Sequence, residues 1–310
     1  MHVETSPLYN KSIRQNPNEV NTAARELGRA AAASALREIM TAPKPGLVDP
    51  LGSGCHTDMD WHTFTKSCEA IAPYWEAQAN TGVNGTPPES ALAALRAAGV
   101  EMERAMFEAT GGVNTHKGLI YLMSLLLYGA GRAVFLGKKP NAESAARLAA
   151  EAAAGSVERE LRPLLERADT AYMTHGEKLY ALHSITGVRG EAEAGFPSVL
   201  NAGLPELLRA ESLGAGDNNA AIASLLAIME VCEDSNVIHR GGYEFWRGEY
   251  HGLVRSAREG FDPVSGGFET IAALEKRFLP LRISPGGAAD LLSCTFFLKN
   301  ISFLLVNIDD

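Results

Sequence analysis

The chain has 310 residues, 46% of them hydrophobic, which supplies a sizeable core and excludes a wholly disordered or fibrous protein. Its 37 acidic against 28 basic residues give a formal charge of −9 and exclude the broad basic face of a general nucleic-acid binder. Cys55, Cys68, Cys232 and Cys294 lie far apart in no Cys-x-x-Cys or Cys/His pattern, so reduced thiols in a cytoplasmic protein are expected.

Residues 1–17 have neither an apolar signal region nor a processing site and read as a flexible arm, leaving residues 18–310 as a single domain. Apolar periodicity and capping residues then predict helices in almost every segment. The first runs over Asn18–Thr41 and is closed by Pro43; the second covers Trp61–Gln78, with Thr57 or Asp58 as its cap. Glu89–Glu108, Thr115–Gly129, Ala142–Ala154 (capped by Asn141) and Ser156–Thr174 follow. Leu204–Leu213, Asn218–Cys232, Val237–Trp246, Tyr250–Glu259, Pro263–Phe278 and Pro285–Phe303 complete the set. Leu119–Gly131 is too short to cross a bilayer and Ala288–Val306 is interrupted by Asp290 and Lys299, so both read as core helices and no membrane is expected. The β-branched stretches are too short for a sheet, and the fold class is all-α: a multi-helix bundle with its site built from inter-helix loops and helix N-termini. Apolar excess on several helices permits a homodimer and is equally explained by core burial.

Five polar, glycine-rich islands interrupt the helices: Pro43–Asp49, Gly111–Gly118, Gly187–Glu193, Asp234–Gly242 and Ser284–Asp290. Glycine lets a backbone approach a ligand, and a helix start offers unpaired N–H groups and a positive dipole end to an anion. Lys44, between two prolines, sits on a stiff turn that can hold an ammonium against a phosphate, while Asp49 offers the hard oxygen that magnesium prefers. His56 and Asp58 extend this group, Asp58 with capping as its other reading. Asn114, His116 and Lys117 open a helix, where cations oppose the dipole unless an anion sits there too. Arg189 stands beside Glu191 and Glu193, a pattern for general-base work or metal binding; the alternative is an exposed ion-pair cluster. Asp234, Asn236, His239 and Arg240 fall within two helical turns ahead of Gly241, and Asp290 lies inside an apolar helix after Ser284 and Gly286. An ionised Asp290 there needs a metal, an arginine or several donors. Asp217-Asn218-Asn219 reads as a cap.

In order, PKPGLVD, GCHTDMDW, GGVNTHKGLIYL, GVRGEAEAGFPSV, DSNVIHRGG and ISPGGAADLLSCTFFL resemble the triphosphoribosyl-dephospho-CoA synthase family from about Ala32 to Leu304. The family pattern more often has alanine at Cys55 and Asp-Thr-Asn at Asp234-Ser235-Asn236. The resemblance implies an all-α enzyme that moves the triphosphoribosyl part of ATP onto the 2′-hydroxyl of 3′-dephospho-CoA and releases adenine. Its product is a prosthetic-group precursor, passed to an enzyme that modifies the carrier protein of citrate lyase or malonate decarboxylase. On that basis Mg2+ is expected on Asp49, Asp234 and Glu193. The nucleotide is expected on Lys44, Gly46, Asn114, Lys117, Arg189, Asn236, Arg240, Gly241, Ser284 and Gly286. Glu191 is expected as general base and His116 or His239 as the acid that assists adenine's departure. A magnesium-dependent nucleotide or N-glycoside hydrolase and a noncatalytic nucleotide-binding module are the alternatives.

Overall fold

A computed structural model describes residues 17–166 and 173–304, so the proposed N-terminal arm, Pro17 apart, lies outside the described residues. The chain opens with α1 (Pro17–Met40), α2 (Trp61–Ile71), α3 (Trp75–Val83), α4 (Pro88–Ala109), α5 (Lys117–Phe135) and α6 (Ala142–Ala153). Shorter pieces follow: α7 (Ser156–Glu160), α8 (His175–His183), α9 (Gly187–Glu193) and α10 (Leu204–Ser212). The remainder is α11 (Asp217–Val231), α12 (Ser235–Gly241), α13 (Tyr243–Phe245), α14 (His251–Gly260), α15 (Phe268–Phe278) and α16 (Gly286–Leu304). Among the described residues there is no sheet, only the isolated bridges Asp49–Gly52 and Asp262–Gly266, and the all-α expectation holds.

The centre of the bundle is α5, buried from Leu119 through Val134 except for the half-buried Tyr121, and packed against α3, α4, α6, α1 and α16. It is long and apolar enough to cross a bilayer, yet 83% of its apolar window is buried among other helices. Small residues set the spacing: a Cβ on Gly129 would stand 2.0 Å from the Ala145 carbonyl oxygen of α6, and one on Gly131 2.6 Å from the Ala79 carbonyl oxygen of α3. Such contacts bring backbones closer than larger residues allow, and each fully buried Leu, Ile or Phe adds about 1.5–3 kcal/mol. One continuous core then runs from Ala24 on α1 to Ile301 on α16.

Where helices stop, local chemistry decides. The expected helix over Trp61–Gln78 is divided by a 3₁₀ turn at Ala72–Tyr74 that contains Pro73, which cannot donate within a helix. Its cap is Asp60, not Thr57 or Asp58: Asp60 and Thr63 form a reciprocal capping box, as do Asn141 and Ser144 on α6. The single helix expected over Ser156–Thr174 ends at Glu160, and Thr174 instead caps α8. Gly187–Glu193, read as an island, is itself α9. Gly242, at φ 88°, breaks the helix expected over Val237–Trp246, and the Asp262–Gly266 turn delays α15 to Phe268. Asn218 does not cap α11: its amide accepts from the Ala42 N–H at 2.9 Å and donates to the Ala42 carbonyl at 2.6 Å, tying the residue just ahead of the first island to α11.

Candidate active site

Four of the five islands converge on one cavity of about 1120 Å³, and α9 completes its wall. This exceeds the usual range for a single small ligand, roughly 300–1,000 Å³, and suits two substrates side by side. Of the sequence-derived candidates, His56, Asp58, Asn114, His116, Lys117, Arg189, Asn236, Arg240, Ser284, Gly286 and Asp290 line it.

The first and last islands interlock to make one side. A Cβ on Gly46, at φ 74°, would meet the Ile283 carbonyl oxygen at 2.2 Å, and Cys55 Sγ donates to the same oxygen at 2.9 Å. Next to them His56 Nε2 and Ser284 Oγ share a hydrogen bond of 2.8 Å, with Asp58 Oδ1 3.6 Å from His56 Nδ1. Burial, then the Arg240 charge, lowers the His56 pKa and keeps its ring neutral at pH 7. Lys44 is not open to the cavity: its ammonium donates to the Glu38 carbonyl at 2.7 Å and to the Glu38 carboxylate. The surface that Lys44 supports is therefore Glu38, from the last turn of α1, which does line the cavity. Burial raises the Glu38 pKa, and Lys44 works against that rise.

The start of α5 makes the floor. Asn114 Oδ1 accepts from the Lys117 N–H at 3.2 Å, and Lys117 pairs with Glu103 at 2.9 Å. His116 is buried, with Nδ1 2.7 Å from Ser67 Oγ and its ring edge-on to Phe64. Burial, then the Lys44 charge, drops its pKa to about 3, so it carries no proton to donate as an imidazolium near pH 7. Across from it, α16 presses the Asp290 carboxyl onto Gly118: a Cβ there would lie 2.2 Å from Oδ2. Among the described residues no cation pairs with Asp290; burial, then Glu38 and Asp234, hold its pKa well above the carboxylate range. With no arginine beside it among the described residues, this upward shift favours the protonated form of Asp290.

Cations ring the opening. Arg96 grips Glu160 with two bonds of 2.6 and 2.7 Å, and Arg189 adds a third at 3.1 Å. Arg240 donates to the Arg282 carbonyl oxygen at 3.2 Å, and neither it nor Lys178 has a carboxylate partner among the described residues. His175 lines the cavity and stacks on His239, ring centroids 3.5 Å apart; His239 itself is exposed behind it. Burial, His175 and nearby cations lower the His239 pKa.

The remaining candidates lie elsewhere, for identifiable reasons. Asp49 is buried with its carboxylate accepting from the N–H groups of Lys44 (2.8 Å), Leu51 (2.7 Å) and Gly52 (3.2 Å). Asp234 is the N-cap of α12 and also accepts from Ala288 N–H at 2.9 Å, stapling α12 to α16; burial lifts its pKa to about 6 against those bonds. Glu193 accepts from Gly155 and Val157 N–H, both at 2.9 Å, at the start of α7. All three carboxylates expected to hold a metal accept hydrogen bonds from backbone N–H groups. Gly241 packs on Ile283, with a Cβ position 2.5 Å from Cδ1. Glu191 faces a separate pocket of about 410 Å³, its oxygens bound by Ser198 N–H and Oγ, both at 2.8 Å. Glu38, Arg96, Glu103, Glu160, His175 and Lys178 are cavity residues absent from the sequence-derived set. Their only sequence signal was a charge on the face of an otherwise ordinary helix.

A helical bundle whose loops and helix starts enclose a cavity of nucleotide size, lined by cations and proton-holding carboxyls, is an enzyme acting on polyanionic small molecules. The chain belongs to the ATP:dephospho-CoA triphosphoribosyl transferase (CitG) family, whose match covers residues 24–306. It is 38% identical over 290 residues to a probable 2-(5''-triphosphoribosyl)-3'-dephosphocoenzyme-A synthase of Albidiferax ferrireducens, covering 90% of this chain and 91% of that protein. A protein of the same description from Vibrio cholerae serotype O1 is 35% identical over 285 residues, covering 89% and 88% of the two chains. No solved structure matches.

Proposed function

We propose that the large cavity is where this transferase couples ATP to 3′-dephospho-CoA, and that Asp290 and Glu38 handle the protons. The observation that carries this reading is that two buried carboxyls line one cavity, both raised in pKa by burial, but only one of them has a cation working against that rise. Asp290 has no cation and keeps its proton; Glu38 has the Lys44 ammonium against it, which favours the ionised form. The Lys44 ammonium makes Glu38 the better candidate for the base and leaves Asp290 as the candidate acid.

The acceptor 2′-hydroxyl attacks C1′ of the ATP ribose as the bond from C1′ to adenine breaks. Asp290 gives its proton to the departing adenine ring, which takes the bonding electron pair, and Glu38 accepts the proton released by the hydroxyl. Net charge on the protein is conserved, and proton exchange restores both groups after product leaves. Arg240 and Lys178 hold the triphosphate, with Lys117 and Arg189 able to turn to it from Glu103 and Glu160. His175, braced by His239, supplies a flat surface for a purine.

Among the described residues no group of three or more His, Cys, Asp or Glu side chains forms a metal cage. Magnesium therefore fits as part of the substrate, carried on the triphosphate, with the exposed Asp58 at the rim as its protein contact. Such an ion neutralises phosphate charge. In this reading the reaction is cytoplasmic, and the product goes to a carrier-protein-modifying enzyme that serves citrate lyase or malonate decarboxylase.

Mass spectrometry of an ATP plus dephospho-CoA reaction tests the assignment. The wild type yields the coupled adduct and one adenine per adduct, and Asp290→Asn yields neither at a comparable rate. Full turnover by both Asp290→Asn and Glu38→Gln would remove the cavity from consideration.

A further inference from the structure

The 410 Å³ pocket beside the main cavity lies between α9, the π-helical turn at Val199–Gly203 and the end of α11, and the two spaces meet at Val188 and Gly287, which line both. Its chemistry is the reverse of its neighbour's. Among the described lining residues there is no Lys, Arg or His and no aromatic ring; the walls are aliphatic, from Val188, Pro197, Ala202 and Leu291. Its carboxylates are already engaged: Glu191 with Ser198, and Glu233 with Thr186 Oγ1 at 3.0 Å and the Thr186 N–H at 2.9 Å. Asn201 is exposed, and its amide has no hydrogen-bond partner among the described residues.

A pocket with two carboxylates and no cation rejects phosphate, and one without a ring gives a purine no stacking surface. Of the uncharged groups in the two substrates, the hydroxyl-rich riboses suit aliphatic walls poorly, whereas the pantetheine arm of dephospho-CoA brings a gem-dimethyl group for those walls and amides for a free carboxamide. We infer that this pocket binds the pantetheine arm and so selects dephospho-CoA over acceptors that lack it. The link between pantetheine and diphosphate then crosses the junction of the two spaces, and the diphosphate and acceptor ribose stay in the main cavity. The inference rests on the proposed placement of the reaction in the main cavity, and goes beyond it by assigning Glu191 and its surroundings to acceptor recognition.

Ala202→Phe fills the pocket without adding charge. Steady-state kinetics should show the KM for dephospho-CoA rising about tenfold or more while the KM for ATP stays put, the size expected for lost pocket contacts. Free pantetheine should inhibit the wild type competitively against dephospho-CoA and lose that effect in the variant. Asn201→Ala, at an exposed side chain, repeats the measurement with no steric load on the π turn and should move the same KM in the same direction. An unchanged KM for dephospho-CoA in both variants overturns the inference, and so does a rise confined to ATP, which would assign the pocket to the donor's adenine. These outcomes are separate from failure of the main reading, which shows instead as full activity of both Asp290→Asn and Glu38→Gln.

Discussion

Oδ2 of Asp290 occupies the place where a side chain on Gly118 would begin, 2.2 Å from the position of a Cβ there. This contact joins the N-terminus of the central helix α5 to the first turns of α16, and it fixes the carboxyl that faces the cavity. Replacing a helical glycine by alanine ordinarily stabilises by about 1 kcal/mol. At position 118 that gain should be lost, because the Asp290 carboxyl must turn away to admit a methyl group: Gly118→Ala should be no more stable than the wild type and should lower turnover. Calorimetry and adenine release measured on the same sample check both effects; a more stable, fully active variant would contradict the contact.

Retention of a proton by Asp290 makes stability depend on pH. An aspartate whose folded pKa is raised above its ordinary 3.8 binds more protons folded than unfolded, so its contribution is intact below 3.8 and is lost as pH climbs through the folded value. Asp234 behaves alike, with its loss falling between about pH 4 and 6. Denaturation midpoints between pH 5 and 8 should therefore fall in the wild type and fall less in Asp290→Asn. Parallel curves for the two proteins would show that Asp290 is ionised in the fold.

His116 makes the opposite prediction. With its pKa near 3, its imidazole NMR signals should stay constant from pH 8 to pH 5. A midpoint near 6.5 would return it to the list of proton donors.

Glu193 separates a structural from a metal-binding role. Glu193→Ala strips the N–H groups of Gly155 and Val157 of their acceptor and should cost about 1–3 kcal/mol. The magnesium concentration giving half-maximal turnover should not move. A shifted magnesium requirement would restore Glu193 as a metal ligand.

The sequence was most informative where glycine and polar residues interrupt alanine-rich helices, because such segments carry stability costs that a plain bundle avoids. Asn114, Lys117, Arg189, Asn236, Arg240, Ser284 and Asp290 were all legible on that basis and all line the cavity. What could not be read was which atoms of each island face inward. Lys44 and Asp49 are both charged and belong to the same island, yet Lys44 is spent on Glu38 and Asp49 on three loop amides. Glu38 escaped notice because it sits inside a regular amphipathic helix, and only the return of the Lys44 loop gives it a partner 6 residues away. Glu191 and Glu193 are two apart on α9 and point to different faces, one toward the smaller pocket and one toward α7, as helical geometry requires. The helix boundaries that shifted, at Pro73, Gly242 and Asp262–Gly266, each follow a local backbone preference that apolar periodicity does not register.

The most direct test of the central claim is a crystal structure with ATP and 2′-deoxy-dephospho-CoA, an acceptor that lacks the attacking hydroxyl and so traps both substrates. The triphosphate should lie between Arg240 and Lys178, with the donor's glycosidic bond within reach of Asp290 and the acceptor's C2′ beside Glu38. Both nucleotides bound outside the cavity, or a donor ribose remote from Asp290, would contradict the account.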